Sequence, residues 1–478
     1  MSNALEQSLY PLMLNEISSA WEQNIIPRLF EYIKIPNKSP AFDADWKANG
    51  HMHKAMDLIV KWCTKQPIAK MKISVLEEEN RTPLLFIEIP GQIDETVLLY
   101  GHMDKQPEMR GWHADLGPWQ PVLREGKLYG RGGADDGYAI FSALTAIAAL
   151  QRHKIPHGRC VILIEASEES GSPDLPFYLE KLQDQLRQPS FIICLDSGCG
   201  NYEQLWATTS LRGLVSGILR IEVLTKGMHS GVGSGVVPSA FRILEMLLAR
   251  VEDRETGKIL LEEFNVNIPP QYQQQAQLTA QILGDDFQRD YPFAHPTQAV
   301  SKDDVELILN RTWRPALSII GLEGLPALAQ AGNVTLPSLA AKISIRIPPG
   351  CDPIRAQAAL CQALEQNPPY SAKVSFLSSD HAAGWQAPLL ADWLAQANDH
   401  ASQQFFGKPA AYLGEGGTIP FMGMLGKMFP EAQFLITGVL GPDSSAHGPN
   451  EFLHIDMAQK LTGCIAAVLA AHAQHQGK

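Results

Sequence analysis

The chain has 478 residues, 45% of them hydrophobic and 19% charged. That is an ordinary globular balance in a chain too long for one core, so two domains are expected. A formal net charge of −12 argues against nucleic acid or an anionic membrane as the main partner. No run approaches the ~18–20 apolar residues of a membrane span, and the first residues lack the basic start and apolar block of a signal peptide. The seven cysteines are scattered, with no Cys-x-x-Cys pair. They suggest reduced thiols, a cytoplasmic location and no thiolate metal site.

From about Ala4 to Ile35 apolar residues recur at helical spacing, among them Leu9, Leu12, Ile17, Trp21 and Leu29, and Pro27 is expected to kink or split that helix. A second amphipathic helix is predicted from Met52 to Cys63, then strands over Met71–Leu76, Pro83–Ile89 and Thr96–Tyr100. The last ends in Gly101, and His102 and Asp104 follow. Two residues apart in an extended segment, they share a side, at the strand end where open α/β sheets place their ligands. An imidazole beside a carboxylate suits a metal centre; a turn with a solvated Asp and a surface His is the plainer alternative.

The run Gly130-Arg131-Gly132-Gly133-Ala134-Asp135-Asp136-Gly137 leads into a helix expected over Tyr138–Leu150. Asp135 occupies the third-glycine position, which rejects a dinucleotide fingerprint. What remains is a Gly-rich turn presenting two carboxylates at a helix N-terminus, a place that favours anions; an acidic cap is the alternative. The apolar strand Cys160–Ile164 delivers Glu165, Glu168 and Glu169. Adjacent carboxylates repel unless a cation or a proton relieves them, so one can bind a metal while its neighbour carries a proton. Another apolar strand, Phe191–Leu195, ends at Asp196. Three strands thus end in an acid or a His.

The texture changes around Arg212. Strands are expected over Leu214–Leu224, Leu317–Ile320, Ala341–Ile347 and Ala372–Leu377, and helices over Ser239–Val251 and Asp352–Gln366. Arg254–Arg314 is polar and without pattern. The first domain then resumes, with a helix over Leu389–Phe405, a turn carrying Glu415, a strand over Gln433–Thr437, a loop with His447 and a closing helix from Ile455. His51, His53, His113, His153, His157 and His454 have no partner motif and are expected at the surface.

The residues Gly101-His102-Met103-Asp104, Gly130 to Asp136, Glu168-Glu169-Ser170-Gly171-Ser172, Asp196, Met228-His229-Ser230-Gly231, Arg346 and Ala446-His447 resemble the co-catalytic metallopeptidase family of carnosinase, cytosolic nonspecific dipeptidase, glutamate carboxypeptidase, acetylornithine deacetylase and succinyl-diaminopimelate desuccinylase. They are most similar to its dipeptidase branch. A Lys that commonly follows the double Asp is replaced by Gly137-Tyr138. The resemblance implies an α/β fold: a zinc-exopeptidase-like catalytic domain over 1–211 and 386–478, with a mixed, mostly parallel sheet between helices, and an inserted α+β lid and dimerisation domain over 212–385.

It also implies two divalent metal ions, Zn²⁺ foremost with Mn²⁺ or Co²⁺ tolerated, which suits N/O donors without Cys. His102 and Asp196 would hold one and Glu169 and His447 the other, with Asp135 bridging. Asp104 would orient His102. Glu168 would be the general base toward an activated water. His229 would reach the site of the other subunit of a homodimer to steady the oxyanion. Arg346 would clamp a substrate carboxylate, and Glu415 with Gly416-Gly417-Thr418 would hold the other end. The implied reaction is hydrolysis of dipeptides or short peptides. Deacylation of N-acyl amino acids is the alternative of the same chemistry, and a non-catalytic metal- or peptide-binding protein the second. A serine hydrolase is disfavoured because no Gly-x-Ser-x-Gly elbow is present.

Overall fold

The apolar run ahead of His102 is the middle of a sheet. In the computed structural model, which describes residues 3–289 and 291–477, the strand Ile93–His102 lies parallel between Gly158–Glu165 and Pro189–Cys194. Gln433–Ile436 continues the parallel run beside Pro189–Cys194. Antiparallel strands close both sides: Leu84–Ile89 and then Lys72–Leu76 on one, Trp206–Leu211 on the other. Strands covered on both faces read as continuous apolar runs rather than alternation, as Val97–Tyr100 and Cys160–Ile164 do. Parallel pairing brings the carboxyl ends to one edge of the sheet. His102 stands opposite Glu165, and Tyr100 opposite Cys194.

The sheet packs against the helices Ala139–Arg152 and Ile455–Gln476, which are buried along most of their length. Ser142 Oγ and Thr462 Oγ1 meet at 2.8 Å, and Trp21 Nε1 donates to the same Thr462 hydroxyl at 3.1 Å. The N-terminal helix breaks as expected, one turn ahead of the proline. Asn3–Ala20 passes through a wide turn, Trp21–Ile25, into Ile26–Ile33. Pro27 then sits in the first turn of the new segment, where its missing N–H costs nothing.

Two units are distinguished by their internal packing. The first comprises residues up to Thr209, Ala387–Leu413 and those from Met424 on; the second comprises Ser210–Gln386 and Gly414–Gly423. The second is a four-stranded antiparallel sheet in the order Ala316–Glu323, Ser338–Ile347, Gly213–Glu222, Lys373–Ala382. Its core joins Val215, Leu219 and Ile221 to Ile343 and Ile345, and to Ile243, Leu247 and Leu360 of the helices Ala240–Leu248 and Pro353–Glu365. Asp352 caps the latter helix by accepting from the amides of Ile354 and Arg355.

Two expectations are corrected. The patternless stretch Arg254–Arg314 contains the helices Pro270–Leu283 and Asp304–Thr312. In the first only Tyr272, Ala276, Thr279 and Leu283 are buried, a stripe too thin and too polar to show as periodicity. His157 is not at the surface: it is buried, with Nδ1 2.7 Å from the carbonyl of Gly158. Among the described residues no helix is long and apolar enough to cross a membrane.

Leu163 is fully buried in the strand Gly158–Glu165. Truncating it to Ala is expected to cost ~2–5 kcal/mol of stability, read as a lower urea midpoint by tryptophan fluorescence.

Candidate metal centre

Each side chain singled out at a strand end arrives at the carboxyl edge of the first unit's sheet. His102 ends its strand, Glu168 and Glu169 form a single helical turn after Gly158–Glu165, and Asp196 follows Pro189–Cys194. Asp135 comes from the Gly-rich turn, and His447 from the loop between Gln433–Ile436 and the last helix.

His102 is buried with Nε2 3.1 Å from Asp135 Oδ1 and 3.7 Å from Asp196 Oδ1. His447 places Nε2 3.2 Å from Asp135 Oδ2 and 3.2 Å from Glu169 Oε2. Asp135 thus spends one oxygen on each imidazole. Among the described residues two groups of donors lie close enough to hold an ion: His102, Asp135 and Glu169, and His102, Glu168 and Asp196. Glu168 therefore stands within reach of the His102–Asp196 pair.

Asp104 does more than orient an imidazole. Its Oδ1 is 3.4 Å from His102 Nδ1. Its two oxygens also accept from the backbone amides of Glu168, at 3.1 Å, and Glu169, at 3.0 Å. Asp104 thereby holds the ring of His102, whose Nδ1 lies 3.1 Å from the Asp104 backbone carbonyl, and its carboxylate holds the turn that carries the glutamates.

The double Asp departs from the expected pair at a helix N-terminus. Asp135 and Asp136 have non-helical backbone angles, and the helix begins only at Ala139. Asp136 turns inward, where its Oδ2 accepts from the amide of His102 at 3.2 Å. Gly101 allows this approach: a Cβ there would lie 2.6 Å from Asp136 Oδ2 and 2.6 Å from Ala139 Cβ.

The electrostatics are those of a crowded acid cluster. Burial, then the charge of Asp196, pushes the Glu168 carboxyl well above its ordinary range. Burial, then Asp135, does the same to Glu169. Burial also opposes the ionised form of Asp135, but hydrogen bonds from His102 and His447 outweigh it and hold that carboxyl below its usual value. For His102 burial favours the neutral ring. The Asp196 charge and the hydrogen bonds to Asp104 and Asp135 overcome this, and its pKa rises well above normal. His447 rises likewise, with the Asp135 hydrogen bond overcoming burial.

The Peptidase family M20/M25/M40 profile matches residues 98–471. This chain belongs to that family. It is 27% identical over 422 residues to the cysteinylglycine-S-conjugate dipeptidase of Corynebacterium striatum, covering 84% of this chain and 88% of that one. It is 24% identical over 463 residues to the Cys-Gly metallodipeptidase dug1 of Schizosaccharomyces pombe, covering 93% and 94%. The fold matches human carnosine dipeptidase 1 with a TM-score of 0.78 at 20% identity, over 98% of this chain and 99% of that one. The protein is a metallopeptidase of α/β fold.

The remaining predicted residues lie in the second unit. His229 is exposed, and its Nδ1 accepts from the amide of Gly231 at 3.0 Å. Arg346 donates from Nη1 to Thr418 Oγ1 at 3.0 Å, and no acid pairs with it among the described residues. Glu415 is engaged by Arg311 Nη2 at 3.1 Å.

Sequence reasoning gave no role to Glu165 or Arg131 and did not single out Glu451 or Gln106. Glu451 is buried with Arg131, Nη1 to Oε2 2.6 Å. Glu165 accepts from Tyr100 Oη at 2.6 Å and Ser172 Oγ at 2.8 Å. Gln106 Nε2 donates to Glu169 Oε2 at 2.5 Å. The available signal was position: Glu451 lies four residues after His447, and Arg131 four before Asp135.

A cation bound here must displace the protons that His102 and His447 hold to higher pH than an ordinary imidazole. Affinity should therefore fall as pH drops, starting above the usual ~6.5 of histidine. Zn²⁺ titration calorimetry at neutral pH, in two buffers of different ionisation enthalpy, should show proton release; equal heats in both would reject it.

Proposed function

We propose that this protein hydrolyses the peptide bond of dipeptides and related short peptides with two divalent cations, Zn²⁺ foremost. The observation that carries the reading is Asp135, whose two oxygens are divided between His102 and His447. The donor set suits the cations. Its carboxylates and imidazoles converge without a thiolate, and Glu169 Oε1 is buried with no hydrogen-bond partner among the described residues. In our reading His102 and Asp196 hold one ion, Glu169 and His447 the other, and Asp135 both. The ions would supply a polarised scissile carbonyl and a water of lowered pKa.

Glu168 is the general base. Its backbone is pinned by Asp104, and its raised pKa suits a carboxylate that takes a proton from the attacking water and returns it to the leaving amine. The tautomer of His229 follows from its contact. With Nδ1 accepting, a neutral ring carries its proton on Nε2, a donor for the oxyanion. We assign that donor to the partner site of a homodimer built on the second unit, where Val232 and Val236 beside it are 66% and 83% exposed. Arg346, held by a hydroxyl and, among the described residues, by no acid, is suited to a bidentate grip on the substrate carboxylate. Glu415 is given to Arg311, so we leave recognition of the other end to the Gly416-Gly417-Thr418 segment. The first unit would then be the catalytic domain, and the second, which takes in Gly414–Gly423 as well as Ser210–Gln386, the lid domain. Seven free cysteines, six of them buried, support a cytoplasmic location. The names of the relatives favour a dipeptide over an N-acyl amino acid.

Chelator-stripped protein should cleave no dipeptide in a mixed panel, and Zn²⁺, Mn²⁺ or Co²⁺ should restore cleavage. Activity on N-acyl amino acids alone would move the function to deacylation, and none on either class would favour a binding protein. Glu168→Gln should lower kcat by ~100- to 10,000-fold with metal content unchanged. Loss of metal together with activity would make Glu168 a ligand instead. Mass measurement should give a dimer; a fully active monomer would contradict the role of His229.

A further inference from the structure

The metal centre draws Asp135 and His447 from two loops, and a buried ion pair joins those loops beneath it. Arg131 and Glu451 are 1% and 0% exposed. Arg131 Nη1 donates to Glu451 Oε2 at 2.6 Å, and Nη2 to the carbonyl of Gly448 at 2.7 Å. Glu451 Oε1 accepts from the amide of Gly132 at 2.9 Å, and the amide of Gly130 donates to the Glu451 carbonyl at 2.9 Å. Four hydrogen bonds thus lock residues 130–132 to residues 448–451. Gly448 immediately follows His447.

The His447 loop needs an external hold. Asp443, Ser445, His447 and Asn450 have φ of 60°, 55°, 61° and 64°, left-handed conformations that cost non-glycine residues free energy and persist only when their surroundings enforce them. Stability is a poor reason for the pair itself. Desolvating two charges offsets much of their attraction, and well-packed apolar residues often serve as well. Charges with fixed donor directions give what apolar packing does not, a set spacing between two backbones.

We propose that the Arg131–Glu451 pair is the positioning device that sets Asp135 against His447, so that the cation held by Glu169 and His447 binds. Neither residue is among the donors that would hold a cation. The inference rests on the two-cation reading, and the experiment separates the two.

Zinc content and affinity would be measured by equilibrium dialysis and elemental analysis on full-length wild type, Arg131→Met/Glu451→Leu and Arg131→Lys, with thermal melting recorded on each. Wild type should take up two equivalents. The double variant should melt like wild type, keep one equivalent and lose ~10- to 100-fold in affinity for the second, the range for removing groups that orient metal ligands. Arg131→Lys keeps the charge without the fork that spans Glu451 and Gly448, and should weaken the second equivalent alone. Two equivalents at unchanged affinity in the double variant would overturn the proposal. If the double variant does not fold, the same result in Arg131→Lys would overturn it. A wild type that takes up fewer than two equivalents would sink the two-cation reading, and this inference with it.

Discussion

The site depends on one electrostatic constraint: more buried negative charge than its own imidazoles balance. Asp104, Asp135, Glu168, Glu169 and Asp196 converge on His102 and His447 at the edge of one sheet. In a low-dielectric interior such a group ionises fully only with added positive charge, and otherwise carries protons. The raised carboxyls of Glu168 and Glu169 and the raised imidazoles of His102 and His447 express that shortage. A site that holds its donors in place before the ion arrives does not have to arrange them as it binds.

Holding them is the work of the surrounding fold. The carbonyl of Met103, between His102 and Asp104, accepts from Tyr32 Oη at 2.5 Å and from Asn37 Nδ2 at 2.6 Å. Lys105 is buried and reaches back to the carbonyls of Tyr32 and Ile35, at 2.8 and 2.9 Å, around the end of the helix Ile26–Ile33, where cations are favoured. Burial holds its amine well below its ordinary pKa. The first helical segments thus brace the central strand as well as cover the sheet, and this explains polar groups deep in that core. The second unit is built differently: an antiparallel sheet with one apolar face under two helices, and His229, Arg346 and Glu415 carried outside that core.

Reading from sequence to structure succeeded where chemistry and periodicity coincide. Val97–Tyr100, Cys160–Ile164 and Phe191–Leu195 announce themselves as buried strands because both faces are covered. Parallel strands must all end on the same edge, so the polar residue after each run marks the site. Asp135 and His447, whose loops have no periodicity, stood out as an acid in a Gly-rich turn and a histidine in a loop, and the family resemblance added their roles. What escaped notice were interactions between residues distant in the chain. Glu451 and Arg131 are 320 positions apart, and nothing in the neighbourhood of either shows that it is buried. The double Asp misled for a related reason: adjacent carboxylates look alike in sequence, yet the backbone sends Asp135 to the imidazoles and Asp136 inward to the amide of His102.

The sequence by itself determined the alternation of strands and helices, the acids and histidines at the strand ends and the family, because local pattern and donor type are written in single residues and short spacings. Tertiary structure alone decided how those donors are shared. It divided Asp135 between two imidazoles, gave Asp104 to two glutamate amides, bound Glu415 to Arg311 while leaving Arg346 to a hydroxyl, and buried Arg131 against Glu451. Each of these turns on distances of a few ångströms between distant segments, and only the packing of the folded chain brings them together.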